Sequence, residues 1–219
     1  MCFSSTASFT ASAVLGGIGF ATLPFVRDRR EWLFAALPLG FAAHQLLEGA
    51  IWQQVEQSSE PSVRTGAVVA WLFYAWFLLP IWMPLAARAL EPDRRRRRWM
   101  LGLTGLGVIT GTFLFVSSMI LSAGVRVTRH HLEYQLPMHP GWLLAVPYLL
   151  ATCLPLLLST RVFVRRFGVA MVVALGASSA IAAKELSSVW CFFAALLSAG
   201  VFAHFALARR EEQSVSLAS

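Results

Sequence analysis

Seven runs of roughly twenty apolar residues, divided by short polar segments, set the limits on what this chain can fold into. They cover about 8–26, 32–53, 66–88, 99–124, 142–160, 168–184 and 188–208. At about 1.5 Å per residue, each is long enough as a helix to cross the hydrocarbon of a bilayer. In lipid every backbone polar group must be satisfied internally, so such runs become helices. Composition agrees: 57% of the residues are hydrophobic and only 13% charged, against about a quarter charged in soluble domains. The expected fold is all-α, a polytopic membrane bundle of seven transmembrane helices forming one membrane domain over 1–219. Residues 168–208 would make a helix of about 60 Å if unbroken, so "KELSS" at 184–188 is read as the turn of a helical hairpin.

Charge supplies the orientation. Fourteen basic residues fall in alternate segments: Arg27, Arg29, Arg30; Arg88 and Arg94 to Arg98; Arg161, Arg165, Arg166; Arg209 and Arg210. The other side holds only Arg64, Arg126, Arg129 and Lys184. Basic loops stay cytoplasmic, so the N-terminus is expected outside and the C-terminus in the cytoplasm of a bacterial inner-membrane protein. The net charge of +7 therefore reads as topology and as attraction to membrane lipids, not as a nucleic-acid surface.

Small residues in the first, fourth and sixth runs, including Gly107-x-x-x-Gly111 and Gly176-x-x-x-Ala180, predict close helix contacts. Pro147 and Pro155 predict kinks in the fifth run. The three cysteines, Cys2, Cys153 and Cys191, form no CxxC pair and imply no disulfide framework.

The chemistry concentrates in the second run. In "FAAHQLLEGAIWQQ", His44, Glu48 and Trp52 recur at i, i+4 and i+8, one above another on a helix face, with Gln45 beside them. Glu48 and His44 lie about 8 Å and about 14 Å from the outer helix end. An ionisable group at that depth costs a few kcal/mol, so it should face the bundle interior and have a partner. Outside, "RVTRHHLEYQLPMHPG" alternates Leu132, Tyr134 and Leu136 with Glu133 and Gln135, the pattern of a short extended segment over the bundle. Its histidines, His130, His131 and His139, match no specific metal spacing. Lys184, Glu185, Trp190 and Cys191 are expected on that same side, with Cys2 near them.

These groups support three readings. One is a binding module, sensor, accessory subunit or carrier, in which Gln45, Trp52, Tyr134, Lys184, Trp190 and Cys191 line a site for a small amphiphilic ligand or partner membrane subunit. A second is a membrane-embedded hydrolase acting on a lipid or other amphiphile. There Glu48 is the general acid or base and a divalent metal such as zinc is held by some of His44, His131, Glu133 and Glu185. In a third, Glu48 pairs with Lys184 and only joins helices. Haem is disfavoured because His44 and His204 sit at different depths. Retinal is disfavoured because the last run has no lysine.

"MCFSSTASF", "HQLLEGAIW", "HHLEY" and "SVWCFFAALLSA" together resemble the bacterial multi-pass membrane family DUF6629, whose members begin Met-Cys-Phe-Ser. The family's second-span pattern resembles Gln-Gln-x-x-Glu-Gly-x-x-Trp. Gln45, Glu48, Gly49 and Trp52 match it, while His44 replaces the first Gln. The resemblance implies shared architecture and carries no activity with it. "MCFSSTASF" itself lacks the basic region of a signal peptide and is expected to be a translocated tail. Cys2 could then offer a thiol and, after loss of Met1, an amine as nucleophile or metal ligand, or pair with Cys191.

Overall fold

The computed structural model describes residues 4–58, 62–121, 124–128, 131–135, 142–181, 193 and 196–209. Helix α1 (Ser5–Thr22) is opened by Ser4, whose hydroxyl accepts from the Ala7 amide at 3.2 Å. A short turn, α2 (Trp32–Ala35), leads into α3 (Leu37–Gln57), which starts with Pro38 where a missing amide costs nothing. The third span is composite: α4 (Gly66–Leu72), a π-helical stretch Phe73–Leu78, and α5 (Leu79–Leu90). Helix α6 (Arg94–Ile120) begins five residues before the expected apolar run, because Asp93 caps it by accepting from the Arg96 amide at 2.7 Å. The arginine run is thus the opening of a helix, not a loop. Then come strands β1 (Gly124–Thr128) and β2 (His131–Gln135), followed by α7 (Trp142–Leu157) and α8 (Val162–Ile181). A last apolar helix, α9, runs Leu196–Arg209.

The fold is therefore helical with one small departure from the all-α expectation. Four segments, Ser5–Phe25, Trp32–Gln57, Gly66–Leu90 and Arg94–Ile120, are long and apolar enough to span a bilayer. Helices α7 and α9 are apolar but shorter as described. The alternating "HLEYQ" does form a strand: β1 and β2 pair antiparallel with Val125 opposite Tyr134 and Val127 opposite Leu132. Val63, before α4, bonds Val125 in both directions at 2.8 and 2.9 Å. The extended segments thereby close over the ends of α3 and α4, burying Val125 and Leu132 against Ile51, Trp52 and Leu72. The expected turn at 184–188 lies outside the described residues.

Helices α1 and α3 run antiparallel. Phe9 meets Gly49, Ser12 donates to the Ala42 carbonyl at 2.8 Å, and Gly19 meets Leu39. A Cβ at Gly49 would stand 2.7 Å from the Phe9 ring, so the glycine after Glu48 admits α1. Gly107 and Gly111 behave as expected: a side chain at either would collide with the backbone of the third span, at Pro80 and at Trp76. Gly176, by contrast, meets no atom of the described residues within 4 Å of its Cβ position.

The π turn has a local cause. Leu79 donates to the Tyr74 carbonyl, five residues back. The next donor in that register would be the nitrogen of Pro80, which has no hydrogen. The Ala75 carbonyl is satisfied instead by the Tyr148 hydroxyl from α7, at 2.7 Å.

At the other end of the bundle the arginine-rich segments meet. Arg96 reaches the Leu158 carbonyl, Arg161 the Leu90 carbonyl and Arg209 the Pro24 carbonyl. Phe34 packs on Phe163 and Phe167 within a core that includes Leu37, Met83, Met100 and Leu156. Loops that alternate along the sequence thus share one end, while the hairpin and the Ser62–Thr65 segment occupy the opposite one.

Candidate functional site

Between the two apolar cores, α3 turns a polar face inward. His44, Gln45, Glu48 and Trp52 are all buried, Glu48 to 1% exposure. The i, i+4, i+8 spacing places them on the side facing α4 and the π turn. Gln45 donates to one Glu48 carboxylate oxygen at 3.4 Å.

Aromatic rings from the third span complete the face. His44 lies 4.7 Å, centre to centre, from both Trp71 and Tyr74. Trp71 stacks on Tyr134 of β2 at 3.9 Å and 14°. The order Tyr74, His44, Trp71, Tyr134 runs as a ladder of rings outward along α3, with Glu48 beside its outer half. Tyr74 starts near Gly40, where a Cβ would stand 2.8 Å from its hydroxyl. The Trp71 indole N–H is in hydrogen-bonding reach of the Glu48 carboxyl, and Tyr134 feels the charge of the same group.

Most polar atoms on this ladder have no hydrogen-bond partner. His44 Nε2, Tyr74 Oη and Tyr134 Oη are each buried and unbonded, while the Trp71 indole N–H has the Glu48 carboxylate as its acceptor. Ser8 Oγ, on the α1 face that packs against α3, is a fourth unbonded atom. Leaving a buried donor unmade costs about 1–3 kcal/mol, and folded proteins rarely tolerate several together. The Tyr134 ring is partly exposed while its hydroxyl is buried. Burial first, and the neighbouring Glu48 carboxylate second, push that hydroxyl well above the usual tyrosine range, so it keeps its proton.

The structure brings together five of the expected residues, His44, Gln45, Glu48 and Trp52 on α3 and Tyr134 from the hairpin. His131 and Glu133 fall in β2, with backbones paired to Thr128 and Arg126, but their side chains lie outside the described residues. So do Cys2, Lys184, Glu185, Trp190 and Cys191, together with His130 and His139. The Glu48–Lys184 and Cys2–Cys191 pairings fall there too. Among the described residues no group of three or more His, Cys, Asp or Glu could hold a metal ion. Cys153 is buried as a free thiol. His204 is exposed and stacks on Phe163 at 3.8 Å, apart from the ladder.

Trp71 and Tyr74 are the residues that sequence reading missed. Their signal was present: a tryptophan and a tyrosine three residues apart inside an apolar span, each bringing a polar atom that needs a partner.

A second buried carboxylate, Glu91, sits at the arginine-rich end and is 2% exposed. It accepts from Ser159 Oγ at 3.0 Å, Thr160 N and Oγ1 at 2.7 Å each, and Asp93 N at 3.2 Å. Burial alone would raise its pKa, but these four bonds outweigh that and hold it below the ordinary value. Fully bonded, Glu91 clasps the α5–α6 turn to the α7–α8 turn, a structural role that contrasts with the unbonded ladder.

No curated protein and no solved structure matches this chain. A family model does, over residues 1–216, and the chain belongs to that family, described as a family of unknown function (DUF6629).

Proposed function

We propose that this protein is a membrane-embedded binding module whose site is the inward face of α3 with the aromatic ladder of the third span and hairpin. One observation carries the reading: three unbonded polar side-chain atoms, from α3, the π turn and β2, gather around one helix face. A purely helix-locking cluster would resemble Glu91, with its hydrogen bonds made. A binding face leaves them for a guest. The π turn contributing Tyr74 fits this reading, since such turns recur at functional sites.

The wider setting follows from charge. In this reading the chain crosses a bacterial inner membrane seven times, with the arginine-rich end in the cytoplasm. The ladder then lies toward the extracytoplasmic side, beneath the hairpin, and serves a sensor, accessory subunit or carrier.

Thermal unfolding of delipidated protein tests the site. Adding back an extract of the host membrane should raise the melting temperature of the wild type by several degrees and leave His44→Ala and Glu48→Gln unmoved. An equal rise in all three proteins would sink the proposal.

A further inference from the structure

We infer that the arginine-rich end of the bundle holds an anionic phospholipid with two phosphates, of the cardiolipin type, where α6 and α8 begin. The inference is independent of the α3 site. Two groups of exposed arginines carry it: Arg94, Arg95 and Arg98 in the opening turns of α6, and Arg165 and Arg166 in those of α8. The fold brings both groups to one place. Glu91 accepts from the Thr160 amide at 2.7 Å, and α6 starts three residues after Glu91 while α8 starts two residues after Thr160. Arg96 and Arg161 cross-link the same two turns through the Leu158 and Leu90 carbonyls.

The acids that could neutralise this charge are spent on other donors. Asp28 accepts from the Arg30 amide, Glu31 from the Arg27 and Asp28 amides, and Asp93 from the Arg96 amide. Glu91 is filled by Ser159, Thr160 and Asp93. Among the described residues, therefore, no carboxylate pairs with Arg94, Arg95, Arg98, Arg165 or Arg166. A guanidinium fork matches a phosphate through two parallel hydrogen bonds, so each arginine group suits one phosphate. The positive end of the α6 dipole opens beside the first group and adds to the attraction.

The strip of α6 that follows fits acyl chains. Arg98, Gly102, Gly105 and Ile109 succeed one another on its exposed face, and Trp99, 64% exposed, marks the headgroup level. The Cβ positions of Gly102 and Gly105 meet no atom of the described residues within 4 Å, so a chain can lie directly against the helix there. A free phosphate would leave that apolar strip unused.

The test uses the full chain, delipidated in neutral detergent at low salt. Tetraoleoyl cardiolipin, dioleoylphosphatidylglycerol and pyrophosphate are titrated separately, with binding read by native mass spectrometry. Cardiolipin should bind one per chain, about tenfold tighter than either of the others. Arg94→Gln/Arg95→Gln and Arg165→Gln/Arg166→Gln should each weaken it about tenfold, the size of one charge-assisted hydrogen bond, while their lipid-free melting temperatures match wild type. Glu48→Gln should bind the lipid as wild type does. Salt separates this lipid from the guest of α3: at about 1 M salt the exposed contact is screened and released, and the buried one is not. Equal binding of cardiolipin and phosphatidylglycerol would overturn the two-phosphate assignment. Undiminished cardiolipin binding in either arginine variant, or pyrophosphate binding as tightly as cardiolipin, would overturn the lipid site.

Discussion

Glu48 and Glu91 are both buried acids, and their surroundings assign them different work. Glu91 accepts four hydrogen bonds from two turns, so replacing it by glutamine should cost about 1–3 kcal/mol at neutral pH. Its folded pKa lies below its ordinary value of 4.5. The stability it supplies is therefore complete above that ordinary value and disappears as pH falls through the folded one. Melting curves of wild type and Glu91→Gln should accordingly differ at pH 7 and converge in acid, once the pH has fallen below that lowered folded value. A gap that stays constant across that range would show that the charge contributes nothing. The roles of the two acids are not equally legible in the sequence. The helical spacing of His44, Glu48 and Trp52 is enough by itself to mark an inward face. Glu91 stands in "LEPDRRRRR", which reads as a turn, and its donors are Asp93 nearby and Ser159 and Thr160 almost seventy positions away, contacts that no local pattern encodes.

At the scale of elements, the third span explains how one helix serves two neighbours. Pro80 removes a donor, the π turn forms before it, and the Trp76 and Pro80 carbonyls pack on the glycine face of α6 while Tyr148 caps Ala75. Gly107→Val would drive a branched side chain into the Pro80 carbonyl and should destabilise the protein by about 1–3 kcal/mol. Tyr148→Phe should cost about 1 kcal/mol. Denaturation of the two variants in a constant detergent measures both, and wild-type stability in Gly107→Val would mean that α6 does not approach the start of α5 at Pro80. Gly107-x-x-x-Gly111 was readable as a close contact because small residues at that spacing have few other uses in lipid. The π turn was not. A proline within an apolar run predicts a disturbance, but its form depends on which neighbour supplies the missing bond.

For the whole molecule, the sequence alternation of basic segments corresponds to a real division of the bundle into two ends. Contacts such as Arg209 with Pro24 and Arg161 with Leu90 join segments far apart in the chain at one end. Single cysteines in a cysteine-free background should report this against a membrane. Ser62→Cys, at the hairpin end, should react with an impermeant maleimide in intact spheroplasts, while Arg29→Cys and Pro92→Cys should react only after permeabilisation. The opposite labelling pattern would invert the proposed orientation. Burial of the polar face between two apolar cores was less readable from sequence than the spans. It depends on Trp71 and Tyr74, whose polar atoms call for partners in the sequence but meet α3 only once the third span is laid against it.

The central claim is that the ladder along α3 receives a guest molecule. Native mass spectrometry of gently purified wild-type protein tests it most directly. The account predicts one non-covalent adduct per chain, of defined mass, released on collisional activation and absent from Glu48→Gln purified in parallel. A bare wild-type chain, or an adduct retained undiminished by Glu48→Gln, would contradict it.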